Sequence, residues 1–229
     1  MYAQEFDFNP NRGLSVEESY LQESVELMLI REQSRSDERE QKERALKNIS
    51  AALERGTKGY ELFASLEYLA LEGTINRRIN QRSVNYPDIR SKAAFYLGVL
   101  GGVEAKNVLI RMAGVEKDVT ILIEVFKSLK KIGINDNNET LNAITQVLNR
   151  FNIFNSDNLL ALSGIEAYEF FAEQNNWRLG TAEREMIFQI SEGRYHSLIR
   201  QRAKNLLTLL RTRPVSLNTL RAFLQLANC

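Results

Sequence analysis

A short motif occurs twice at one constant offset: Ile89-Arg90-Ser91-Lys92-Ala93, followed by Leu97 and Leu100, matches Ile199-Arg200-Gln201-Arg202-Ala203, followed by Leu207 and Leu210. Between the copies, Ile121, Val125, Phe126, Leu129, Ile132 and Gly133 keep the same spacing, and Ile165, Tyr168 and Phe171 keep it more loosely. Equivalent points at Gly101, Gly133, Ala172 and Arg211 are 32, 39 and 39 residues apart. Recurrence at such a period is the signature of stacked helical pairs, in which no unit can bury its own apolar stripe and each relies on its neighbours.

Apolar residues recur at three- and four-residue spacing almost from Leu14 onward, alternating Val/Ile/Thr runs are scarce, and the 3 prolines (Pro10, Pro87, Pro214) stand at segment edges. Proline cannot sit in a helix interior without losing a hydrogen bond, so this placement suits an all-α fold. With 44% hydrophobic residues and a net charge of +1, the chain is neither disordered in composition nor uniformly basic. One His and one Cys exclude disulfide frameworks and multi-Cys/His zinc sites, and no apolar run approaches the roughly 20 residues of a membrane-spanning helix.

The spacing predicts an extended leader over 1–13, a capping helix over 14–34, and helical hairpins over 36–73, 88–114, 118–152, 156–192 and 194–229, with an inserted loop over 74–87. Ser15 and Glu18 form a capping box at the start of the first helix, which places Leu21, Val25, Met28 and Leu29 on one face. Leu217, Leu220, Phe223, Leu224 and Ala227 have the spacing of a closing helix. Tyr2-Ala3-Gln4 is like the tail of a cleaved signal peptide, which places the protein outside the cytoplasm; a native cytoplasmic start is the alternative.

The residues Asp88-Ile89-Arg90-Ser91-Lys92-Ala93-Ala94-Phe95-Tyr96-Leu97-Gly98-Val99-Leu100-Gly101 resemble the first helix of a HEAT-type repeat, in which an Asp, an apolar-Arg pair, small residues and two Leu-Gly steps recur in this order. The pattern is partial at 120–133, where Leu122 stands at the Arg position, and at 198–211, where Thr208 and Arg211 replace the glycines. The resemblance implies a right-handed α-α superhelix of the HEAT/armadillo-like type, capped by the first helix, that binds other macromolecules and is not an enzyme. Some HEAT-like proteins act on DNA bases, and some bacterial ones attach or remove pigments, so a nucleic-acid-binding role and a lyase-like accessory role are the alternatives it carries.

Charge is unevenly spread. Residues 1–45 hold eleven acids against six bases, whereas Arg194, Arg200, Arg202, Lys204, Arg211 and Arg213 meet no acid between 194 and 213. With Arg77 and Arg78, the residues Arg194, Arg200, Arg202 and Lys204 are candidates for a surface that binds an acidic partner or phosphate, the alternative being that they are solvated or paired with neighbouring repeats. Trp177, Phe170, Phe171 and Tyr168 cluster at helical spacing and read as core, the alternative being that part of the cluster, with Trp177 as the candidate, is exposed in the concave groove as an aromatic anchor for a partner. His196 lacks a nucleophile beside it, Glu166, Glu169 and Glu173 read as a wet acidic helix face, and Gly98, Gly101 and Gly102 read as packing and termination residues. No metal or cofactor is expected. The partner expected is a protein or peptide, with nucleic acid second.

Overall fold

The computed structural model describes residues 16–74, 85–154 and 156–212, and among them it holds ten α-helices and no strand. These are α1 (Val16–Arg35), α2 (Arg39–Glu54), α3 (Tyr60–Leu71), α4 (Pro87–Leu100), α5 (Gly102–Val115), α6 (Val119–Ile132), α7 (Glu139–Phe154), α8 (Asn158–Gln174), α9 (Thr181–Glu192) and α10 (Ser197–Thr212). The leader, most of the inserted loop with Arg77 and Arg78, and the closing helix lie outside the described residues.

Local chemistry explains the boundaries. Pro87 opens α4, where its missing N–H costs nothing. Asp118 and Asp157 cap α6 and α8, accepting from Thr120 N and Leu160 N at 2.8 Å each. Gly133 closes α6 in the left-handed region at φ 71°. α8 ends differently, on a residue pair whose meaning was not apparent from spacing. Asn176 at φ 50° takes the left-handed position that glycine usually fills, and Trp177 N–H bonds back to Ala172 O at 2.6 Å. Trp177 therefore belongs to the corner after α8 and not to the helix face of Tyr168 and Phe171, and its ring is half-buried against the core.

The helices form two rows. α2, α4, α6, α8 and α10 each pack on the next of that row, α1, α3, α5, α7 and α9 do the same, and cross-row contacts join helices adjacent in sequence. α4 against α6 and α6 against α8 are extensive contacts, whereas α2 meets α1 and α4 more than it meets α3. A continuous apolar seam runs between the rows, from Ile30, Leu46, Ile49, Leu62 and Leu66 through Leu97, Leu109, Phe126 and Leu129 to Tyr168, Phe171, Ile187 and Leu206. Full burial of each such side chain contributes about 1.5–3 kcal/mol, and no helix pair could supply the seam alone.

Buried charges tie successive units. Lys42 of α2 is fully buried, and its ammonium meets Ser34 O at 3.0 Å and Glu72 at 2.7 and 2.9 Å, beside the ring of Tyr68. Arg90 of α4 stands in the same relation to Glu116 after α5, Nε to Oε2 at 2.9 Å with both side chains 5% exposed. Arg150 of α7 donates to the carbonyls of Ala113, Gly114 and Glu116, satisfying the orphan C-terminal acceptors of α5. Arg90 and Asp88 are thus struts between helices: Asp88 pairs with Arg39 of α2 at 2.9 Å.

α1 departs from the sequence reading in one respect. It packs on α2 and α3 through Leu27, Ile30 and Ser34, while Val25, Met28 and Leu29 of the apolar face inferred from spacing lie on the solvent side.

Candidate binding cleft

α8 presents Glu166, Glu169, Phe170 and Glu173 at i, i+3, i+4 and i+7, so one side of this helix carries three carboxylates around an aromatic ring. α6 and α10 flank α8 within their row and lean Lys130 and Arg202 into the same space. The six residues line an open cleft of about 430 Å³, within the range of small-ligand and side-chain pockets.

The charges in the cleft are organised. Glu166 accepts from Lys130 Nζ at 3.3 Å through one oxygen and from Arg202 at 3.1 Å through the other, and Arg202 reaches Glu169 at 3.0 Å with its second terminal nitrogen. Partial burial works against the guanidinium charge of Arg202, but hydrogen bonds and charge from Glu169 and Glu166 outweigh it and hold its pKa above the ordinary arginine value. About a third of each side chain remains exposed, so each pair is worth little in stability and mainly fixes geometry. Phe170 stands edge-on to Phe171 at 5.2 Å and packs beside the Gly133 turn. Glu173 is exposed and pairs with no described residue.

Both cations of the cleft are engaged, one carboxylate is free, and the C-terminal end of α6, with the negative pole of its helix dipole, lies alongside. The cleft therefore suits a cationic group laid over an aromatic ring, an arrangement favoured by the ring quadrupole.

Arg202 is thus part of an ion-pair network. Lys204 pairs with Glu192 of α9 at 3.1 Å, and that hydrogen bond and charge hold the Glu192 carboxyl below its usual pKa, with Arg200 adding to the effect. Arg194 and Arg200 are exposed on the turn before α10 and on α10, away from the cleft lining. Trp177 sits at the α8–α9 corner. Of the basic and aromatic sequence candidates that lie among the described residues, only Arg202 lines the cleft.

His196 caps α10: its ring nitrogen accepts from Leu198 N–H at 3.4 Å, while Asn158 accepts from the His196 N–H at 2.9 Å. Among the described residues, no group of three or more His, Cys, Asp or Glu is placed to hold a metal ion, and no helix is long and apolar enough to cross a membrane.

Lys130 was not singled out as a site residue by spacing, and Phe170 only as one of an aromatic cluster. A signal was nevertheless present: Lys130, Glu166 and Arg202 are each separated by 36 residues, so opposite charges recur one structural period apart. Comparison with protein-family models, curated proteins and solved structures returned no match.

Proposed function

We propose that the protein is a non-catalytic adaptor, a HEAT-like right-handed stack begun by α1 as its cap, which holds a segment of a partner protein in the cleft between α6, α8 and α10. The observation that carries this reading is the cleft itself: an aromatic floor, a free carboxylate at Glu173, and a Glu166–Glu169 pair whose own cations are already supplied from neighbouring helices. Packing restricted to near neighbours along the chain supports the stack, because arrays of this kind gain long accessible surfaces without a second core. A Lys or Arg side chain of the partner fits the chemistry, its stem on Phe170 and its charge at Glu173.

A photo-crosslinking residue at position 170, used in the source cell, tests this. The expected result is a discrete adduct that disappears with Glu173→Lys, whereas a crosslinker at exposed Phe188 on α9 captures nothing equivalent. Adducts unaffected by Glu173→Lys refute the cleft as the site. A nucleic-acid reading draws on exposed Arg194, Arg200 and Arg211 and requires retention on DNA that falls steeply with added salt.

A further inference from the structure

The solvent side of α8 runs on beyond the cleft. Between positions 159 and 173 every residue of this helix is buried except Leu159, Leu162, Glu166, Glu169, Phe170 and Glu173. At about 100° per residue all of these lie within about 60° of Glu166, so they form one stripe along the helix. Phe170 and Glu173 occupy its C-terminal end, the ion-paired Glu166 and Glu169 its middle, and two leucines its N-terminal end. Leu159 is 65% exposed, and Leu162 is partly buried against the core.

α10 widens the apolar end of the stripe. At the start of the two helices Asn158 accepts from the His196 N–H at 2.9 Å, and further along Glu166 and Glu169 hold Arg202 at 3.1 and 3.0 Å. Ties at two levels set α8 and α10 side by side with their N-termini at the same end. Leu198, 73% exposed, stands one turn before Arg202 on the same side of α10 and so comes level with Leu159. Among the described residues these two are the most exposed large aliphatic side chains. A single exposed leucine needs no explanation, but two that adjoin a charged cleft along one stripe extend its surface.

We propose that the partner segment whose Lys or Arg sits at Phe170 and Glu173 carries a large aliphatic residue as well, which packs across Leu159, Leu162 and Leu198. This second contact rests on the cleft being the seat of the cation. Continuity and charge select the occupant. A segment anchored at Glu173 and running along α8 passes over the Glu166–Arg202 network, whose charges are already matched and ask for none of its own, and arrives at the leucines. From Leu159 to Glu173 the helix rises about 20 Å, which about six residues of extended chain can span. A purely apolar ligand would leave Glu173 unmatched, and a nucleic acid would set its phosphates against three carboxylates of α8.

Displayed random peptides of about 16 residues, long enough to reach both ends even as a helix, are selected on the immobilised full chain, and their affinities are measured by fluorescence anisotropy. The expected peptides carry a Lys or Arg together with a Leu, Ile or Met. Leu159→Ser/Leu198→Ser weakens them about tenfold or more, as does Ala in place of the peptide's aliphatic residue, and combining the two changes adds little because they remove one contact. Glu173→Lys weakens the same peptides through their basic residue. Far-UV circular dichroism of the leucine variant stays unchanged, since both side chains are exposed in the single chain. Peptides that lose affinity with Glu173→Lys but not with the leucine variant leave the cleft as the cation's seat and overturn the proposal. Peptides that need the leucines and ignore Glu173→Lys overturn both, as does a library that yields no binder. Dimerisation of the chain in sedimentation equilibrium, lost in the leucine variant, makes a second copy the occupant and overturns the proposal as well.

Discussion

Gly98→Ala should destabilise the protein, against the helix propensity of the two residues. Gly98 lies in the interior of α4, where alanine in place of glycine gains up to about 1 kcal/mol in an unhindered helix. Here a Cβ at residue 98 would stand 2.8 Å from Ser128 Cβ and Oγ and 2.9 Å from Ser128 Cα on α6. Two of these atoms belong to a short buried side chain and one to the backbone, so no rotamer change removes the contact; α4 and α6 must separate by about 0.5 Å along an extensive contact. Overpacking of this kind costs about 1–3 kcal/mol, which offsets the propensity gain and leaves a net loss of up to about 2 kcal/mol. In urea, with a slope of about 2–3 kcal/mol/M, the midpoint falls by up to about 1 M. Gly114→Ala on α5 is the matched control: a Cβ there meets nothing within 4 Å, and the midpoint should rise, by the equivalent of about 0.4–1 kcal/mol. Adding Ser128→Gly to Gly98→Ala should recover part of the loss non-additively, because two of the three clashing atoms are gone. Unfolding followed by circular dichroism, with the fluorescence of the single Trp177 as a local probe, checks all three. A Gly98→Ala midpoint at or above that of the parent refutes the close-approach argument.

Two further outcomes follow from buried polar groups. Arg90→Met strands the Glu116 carboxylate, 5% exposed, without its cation and should cost about 3–5 kcal/mol, partly recovered in the Arg90→Met/Glu116→Gln double variant; urea midpoints decide it. Burial holds the Tyr168 phenol above its ordinary pKa despite the 2.7 Å hydrogen bond with Thr145, so the folded state resists ionisation that the unfolded chain undergoes. The contribution is whole below about pH 10 and shrinks as pH rises beyond it, and Tyr168→Phe should flatten that alkaline loss while costing about 1 kcal/mol at neutral pH, as unfolding at pH of about 8 to 11 would show.

Much of the helix order was legible because caps and breakers act locally. Asp118, Asp157, Pro87 and Gly133 stop or start helices through bonds to residues at most a few positions away, and the spacing places them without knowledge of neighbours. The corner after α8 was not legible, since Asn176 adopts there a conformation that the residue type permits and does not require. In the cleft, the acidic run from Glu166 to Glu173 was visible, but its engagement was not: the residues that neutralise Glu166 lie 36 positions away on either side. The same holds for the C-terminal basic stretch, where Arg202 and Lys204 find carboxylates on α8 and α9 and only some of the cations stay free.

The sequence by itself determined that this chain is helical, where most helices begin and end, and that a motif recurs along it, because hydrogen bonds within a helix and the three-to-four spacing of its apolar residues are properties of short segments. Only the tertiary structure decided which side of a helix faces inward. α1 has apolar residues on both sides, Leu27 and Ile30 on one and Val25, Met28 and Leu29 on the other, and the packing of α2 and α3 buries the first set and leaves the second in water. It also decided which charges are spent, since an ion pair between neighbouring helices of a row depends on distance in space, and the 36 residues that separate Glu166 from Lys130 and from Arg202 fix no such distance locally.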